Sequence, residues 1–96
     1  MDMSKYKAMF VSETTEHLQA ISQNLLLIEQ NPSHPEAIHS VFRSAHSIKG
    51  MAASMGFDLI RDLAHALEDL MDDFRQGRRA INREAVDLIF QGLDLL

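Results

Sequence analysis

Apolar residues recur along this chain at intervals of three and four, the spacing of one face of a helix, and they do so in four blocks. The first block runs from about Ser4 to Gln30, with Phe10, Leu18, Ile21, Leu25 and Ile28 on one face and Asn31-Pro32 as its stop. The second begins near Ser33. Ser33 and Glu36 have the spacing of a capping box, and Pro35 suits a first helical turn. Ile38, Val41, Phe42, Ala45, Ile48 and Ala52 form its apolar face, and Gly56 is its natural C-terminal stop. The third runs from about Asp58 to Gln76 on Ile60, Leu63, Ala64, Leu67, Leu70, Met71 and Phe74, and Gly77 ends it. After a connection through Arg78-Arg79-Ala80-Ile81, Asn82 caps a fourth helix carrying Val86, Ile89, Phe90 and Leu93. No strand is expected. Connections this short make neighbours antiparallel, so the predicted fold is an all-α, up-down bundle of four helices. The last helix stops on Asp94-Leu95-Leu96 without a cap, so residues 1–96 are expected to be one domain of a longer chain.

Composition narrows the function. Fourteen acidic residues face nine basic ones, a formal net charge of -5. A nucleic-acid binder carries a basic patch, and here only Arg78, Arg79 and Arg83 cluster. No apolar run approaches the roughly 20 residues of a membrane helix, and the first residues do not read as a signal peptide. There are no cysteines, hence no disulfide framework and no thiolate metal site, which favours a reducing compartment.

His46 is the residue that invites chemistry. On a wheel at about 100° per residue it lies roughly 100° from the apolar direction of the second helix, at the edge of the stripe. Its outer neighbours, Gly50 and Ala53, leave the ring unshielded. A glycine inside a helix costs roughly 0.5–1 kcal/mol relative to alanine, and close approach of another macromolecule to the ring would offset that. Counting outward from the second turn, His46 lies ten residues before Gly56 and Glu68 eleven after Phe57. Both are then about 15 Å from the turn. The same counting pairs Lys49 with His65, so His46, Lys49, His65 and Glu68 are expected on one patch. A carboxylate on one imidazole nitrogen fixes the tautomer and stabilises positive charge on the ring while the other nitrogen attacks. Lys49 offers a positive charge to incoming phosphoryl oxygens. Phosphoryl transfer asks for little more than positioning and charge stabilisation.

Simpler readings stand beside this one. A histidine at the edge of a stripe is commonly a boundary residue, and His17 is expected to be one. His34 and His39, around the start of the second helix, have no evident acid partner. Met51 and Met55 are gap-fillers, or a soft docking surface beside His46. A metal-carboxylate bundle uses Glu-x-x-His pairs, whereas His65-x-x-Glu68 is reversed and has no second acidic partner. A non-catalytic helical adaptor would leave His46 incidental.

The segment Ala45-His46-Ser47-Ile48-Lys49-Gly50-Met51-Ala52-Ala53-Ser54-Met55-Gly56-Phe57 resembles the phosphorylation segment of histidine phosphotransfer (HPt) domains. More narrowly, it is similar to the N-terminal domain of CheA-type chemotaxis histidine kinases. Phe10-Val11-Ser12-Glu13-Thr14 through Leu25-Leu26-Leu27-Ile28-Glu29, and His65-Ala66-Leu67-Glu68, carry the likeness over nearly the whole chain. Ile48 stands where that family more often has leucine. The resemblance implies that His46 is the phosphoryl acceptor, on the ring nitrogen farther from the backbone, and that Glu68 orients and activates it. It implies that Lys49 and His65 complete the polar network and that Gly50 keeps the ring accessible.

The same resemblance implies a carrier in two-component signalling. A separate ATP-binding kinase domain, of the same or the partner subunit, donates the phosphoryl group, and a receiver-domain aspartate of a response regulator takes it. An HPt domain of a non-chemotaxis phosphorelay would share this chemistry. The parent protein is then a protein-histidine kinase. The four glycines are scattered singly at 50, 56, 77 and 92 and form no phosphate loop. ATP and magnesium are therefore expected on the kinase domain and no cofactor or metal on this chain. The family's domain usually completes the fourth helix and adds a fifth, which is truncated here. A cytoplasmic, monomeric domain that binds no nucleic acid and does not insert into a membrane is expected.

Overall fold

A computed structural model of the chain describes residues 3–31 and 34–78, together with residues 89 and 91. Its helices are α1 (Met3–Gln30), α2 (Pro35–Met55) and α3 (Asp58–Arg75). The predicted fourth helix lies outside the described residues, apart from Ile89 and Gln91, which are both helical.

The ends of these helices are set by local chemistry. Pro35 occupies the first turn of α2, where its missing N–H is no loss. The cap is then the residue before it. His34 has extended backbone (φ -67, ψ 96), and its Nδ1 accepts a hydrogen bond from the Ala37 N–H at 3.1 Å. This corrects the expected Ser33–Glu36 capping box: the N-cap is His34, while Ser33 itself lies outside the described residues. At the other end Gly56 adopts φ 74, a left-handed conformation that costs glycine little. Its N–H reaches Ala53 O at 3.2 Å, and Phe57 N–H reaches Ala52 O at 2.9 Å, which closes α2 in a Schellman-type turn. Gly77, also at φ 74, ends α3 in the same way, with Arg78 N–H on Asp73 O at 2.9 Å.

With only Gly56 and Phe57 between them, α2 and α3 lie antiparallel, and α1 packs on the other flank of α2. Ile21, Leu25 and Ile28 of α1, Val41 and Ile48 of α2, and Met71 and Phe74 of α3 form one buried cluster, which Ile89 joins. Ala45, Ala52 and Ala64 are buried too, and side chains this small let the backbones approach. Thr14 fills the gap that the apolar pattern leaves between Phe10 and Leu18; it is buried, and its hydroxyl has no hydrogen-bond partner among the described residues. Two contacts hold the register of α1 against the rest. Asn24 Nδ2 donates to Ser40 Oγ at 3.1 Å. The rings of Phe10 and Phe57 meet at 5.0 Å and 60°. None of the described helices is long and apolar enough to cross a membrane.

Candidate functional site

His46 stands in the middle of α2 between two buried neighbours, Ala45 and Ile48. Those residues anchor the helix and leave the imidazole outside: its side chain is 64% exposed. The Glu68 side chain reaches across from α3 and is only 13% exposed. His46 Nδ1 and Glu68 Oε2 are 3.1 Å apart. Lys49, one turn further along α2 and half-buried, grips the same carboxylate, with Nζ 2.9 Å from Oε2 and 3.1 Å from Oε1. Glu68 is thus clamped from one side by α2, and Oε2 is shared between the ammonium and the ring.

This geometry fixes protonation. Burial by itself raises the Glu68 carboxyl, but hydrogen bonds from Lys49 and from His46, together with the charge of both, outweigh it and hold the group below its ordinary value. An ionised carboxylate only accepts, so the His46 ring donates from Nδ1, and in the neutral ring Nε2 keeps its lone pair. Nε2 lies on the ring edge away from the Nδ1–Glu68 contact, on a side chain that is mostly exposed. Because the folded chain holds the Glu68 proton less readily than the unfolded chain, the clamp adds stability above the ordinary carboxyl range. That contribution is lost as the pH falls through the lowered value.

The four expected members of the patch do not all meet. The ammonium of Lys49 engages Glu68. His65 is turned outward, 58% exposed, with Nε2 3.6 Å from Asp69 Oδ2 one turn along its own helix. Among the described residues it makes no hydrogen bond to His46, Lys49 or Glu68. Gly50 sits one turn after His46, and a methyl group added there would meet nothing within 4 Å. The need for a glycine is therefore not imposed by packing among the described residues. Of the other histidines, His34 is the cap of α2 and His39 stacks near Phe42 at 6.4 Å.

An open groove of about 600 Å³ runs between α1 and α2, bordered by His46 and Gly50 on one wall and by His17 and Tyr6 on the other. Met51 and Met55 line it as well, beside the exposed Met9. Counted from the connection between α1 and α2, His17 lies 13 residues before Gln30 and His46 11 after Pro35, levels within about 3 Å of each other.

Comparison with known proteins agrees with this architecture. The family model described as "Hpt domain" matches residues 5–96. The chain is 40% identical over 96 residues to the chemotaxis protein CheA of Bacillus subtilis, covering all of this chain and 14% of that protein. It is 45% identical over 82 residues to CheA of Listeria monocytogenes, covering 85% of this chain and 13% of the relative. The chain thus spans only about one seventh of these relatives. Among solved structures, the CheA phosphotransferase domain from Thermotoga maritima superposes with a TM-score of 0.94 at 39% identity, over 99% of this chain and 90% of that one.

Proposed function

The chain belongs to the Hpt domain family, and from that premise we propose that His46 Nε2 accepts a phosphoryl group from ATP held on a separate kinase domain and passes it to a receiver-domain aspartate. The observation that carries this reading is the exposed His46 ring with its Nδ1 3.1 Å from a clamped carboxylate. The Nε2 lone pair attacks the γ-phosphorus, an N–P bond forms, and the P–O bond to the leaving ADP breaks. The ring gains positive charge and keeps its Nδ1 hydrogen, which faces Glu68. In the second step an aspartate oxygen attacks phosphorus and the N–P electron pair returns to Nε2. Lys49 acts through Glu68, keeping it ionised and in place. ATP and magnesium belong to the kinase domain in this reading, and this chain carries the group between two partners. The parent protein is then a chemotaxis-type histidine kinase.

The test is transfer in trans. The chain is mixed with ATP, magnesium and the catalytic domain of a CheA-type kinase, and the modified residue is identified. Acid-labile, base-stable phosphate on His46 is the expected result. Label on a different residue, or none from a kinase domain active on its usual substrate, would overturn the reading.

Two variants probe the parts. Glu68→Gln leaves an amide that no longer balances a charged ring. Phosphorylation by the kinase domain is expected to slow about 10- to 100-fold, less than the roughly 10⁴ for a buried triad, because water screens this exposed ring. A rate within twofold of the original would mean that the His46–Glu68 contact has no kinetic role. Gly50→Ala is expected to raise stability by about 0.5–1 kcal/mol, since the new methyl meets open space. It should nonetheless slow transfer several-fold by crowding the approach to His46. Transfer unchanged with stability raised would separate Gly50 from the partner surface.

A further inference from the structure

Across the groove from His46 stands a second imidazole. The Asn24–Ser40 hydrogen bond pins α1 against α2 at one level. His17 lies seven residues before Asn24 and His46 six after Ser40, and in antiparallel helices these steps lead the same way. At about 1.5 Å per residue they amount to about 10.5 and 9 Å, so the two rings stand at nearly the same height. Both line the same open groove. Packed helix axes are about 8–10 Å apart, a spacing that a phosphoryl group mounted on one ring goes far to bridge.

The direction of the His46 ring matters here. Its Nδ1 edge is turned to Glu68 on α3, so the Nε2 edge, where a phosphoryl group would sit, is turned away from α3, and α1 forms the far wall of the groove on that side. Lys49 is engaged with Glu68. Glu13, one turn before His17, also lines the groove, and its carboxylate repels a phosphoryl dianion. Among the described residues, the polar donors left along this part of the groove are the Ser47 hydroxyl and the His17 ring. His17 is half-buried and has no hydrogen bond or ion pair among the described residues.

We infer that His17 binds the phosphoryl group carried by His46, a ring N–H of His17 donating to one of the peripheral phosphoryl oxygens. The inference rests on the reading of His46 as acceptor. No bond forms or breaks at His17; it holds the transferred group from the α1 side while Glu68 holds the ring from the α3 side. It thereby favours the phosphorylated form of the chain over the free one.

That is a thermodynamic statement and calls for an equilibrium measurement. The chain, a CheA-type kinase catalytic domain, magnesium and a fixed ratio of ATP to ADP are brought to equilibrium from both directions. The ratio of phosphorylated to free chain is then read by mass spectrometry. A catalyst cannot move this ratio, so a role for His17 in docking the kinase would change rates and leave it untouched. In His17→Leu the ratio is expected to fall about fivefold, the effect of one hydrogen bond to a charged acceptor at a partly exposed site. His17→Gln, which keeps an N–H at similar reach, should restore most of it. Circular dichroism checks the fold, and His17→Met supplies the same loss of donor if the leucine variant is unstable. An unchanged ratio in the leucine or methionine variant, with His46 phosphorylated as in the parent, overturns the inference and leaves the acceptor role of His46 standing. A parent chain that takes no phosphate, or a His46→Gln variant that takes it, removes both.

Discussion

His46→Gln is expected to abolish phosphoryl acceptance and leave the bundle standing. Glutamine has no nitrogen lone pair fit to attack phosphorus, so the loss should be complete rather than graded. The fold has little to lose. The His46 side chain is 64% exposed, and substitutions at such positions usually change stability by no more than about 0.5 kcal/mol. For a domain of this size that is a shift of the melting midpoint by about 2–4 °C. Glu68 keeps its partner in Lys49. The check is phosphorylation by a CheA-type catalytic domain run beside a thermal melt. Retained label would move the acceptor elsewhere; a collapsed melt would mean that the ring has a structural role its exposure does not suggest.

The second large effect concerns the core. Leu25 is fully buried among Ile21, Ile28 and their partners on α2 and α3. Leu25→Ala removes packed methyl groups and leaves a cavity that helices pinned by short loops close only in part. The expected cost is about 2–5 kcal/mol, out of the roughly 5–15 kcal/mol that holds a typical domain. The melting midpoint should drop by about 10–30 °C. Leu25 lies next to Asn24, whose partner Ser40 is six residues from His46, so the fraction that remains folded should accept phosphate as before. Urea unfolding combined with a phosphorylation assay at low temperature checks both halves. A cost below about 1 kcal/mol would show that the α1–α2 seam repacks freely.

Much of the architecture is legible in the chain. The stripes of α1, α2 and α3 and the stops at Gly56 and Gly77 follow from period and turn chemistry. The juxtaposition of His46 and Glu68 follows from a constant rise per residue on two helices that share a two-residue turn. What escapes is rotational. Three residues fall 60° short of a full turn. Because the helices run in opposite directions, stepping from His46 to Lys49 and from Glu68 to His65 turns both side chains in the same absolute sense. That sense brings Lys49 in toward α3, and it carries His65 away from α2 toward Asp69. Counting levels alone cannot tell these two apart. The cap of α2 escapes for a different reason. Ser33 and Glu36 have the spacing of a known pattern, but Pro35 sets the start of the helix, and an imidazole nitrogen on His34 serves as the acceptor.

The position of His46 on a continuous helix also bears on timing. The turn at Gly56 is ten residues away, about 15 Å along α2, and the ring is fixed to a rod rather than to a loop. An enzyme that guards a labile intermediate commonly folds a mobile flap over it; here the described elements around the ring are helices and the ring is mostly exposed. If His46 carries a phosphoryl group as proposed, shelter from hydrolysis has to arrive with each partner and leave with it. On the proposed reading the interval between the two encounters is a clock, set by the lifetime of the N–P bond and by the abundance of the next acceptor.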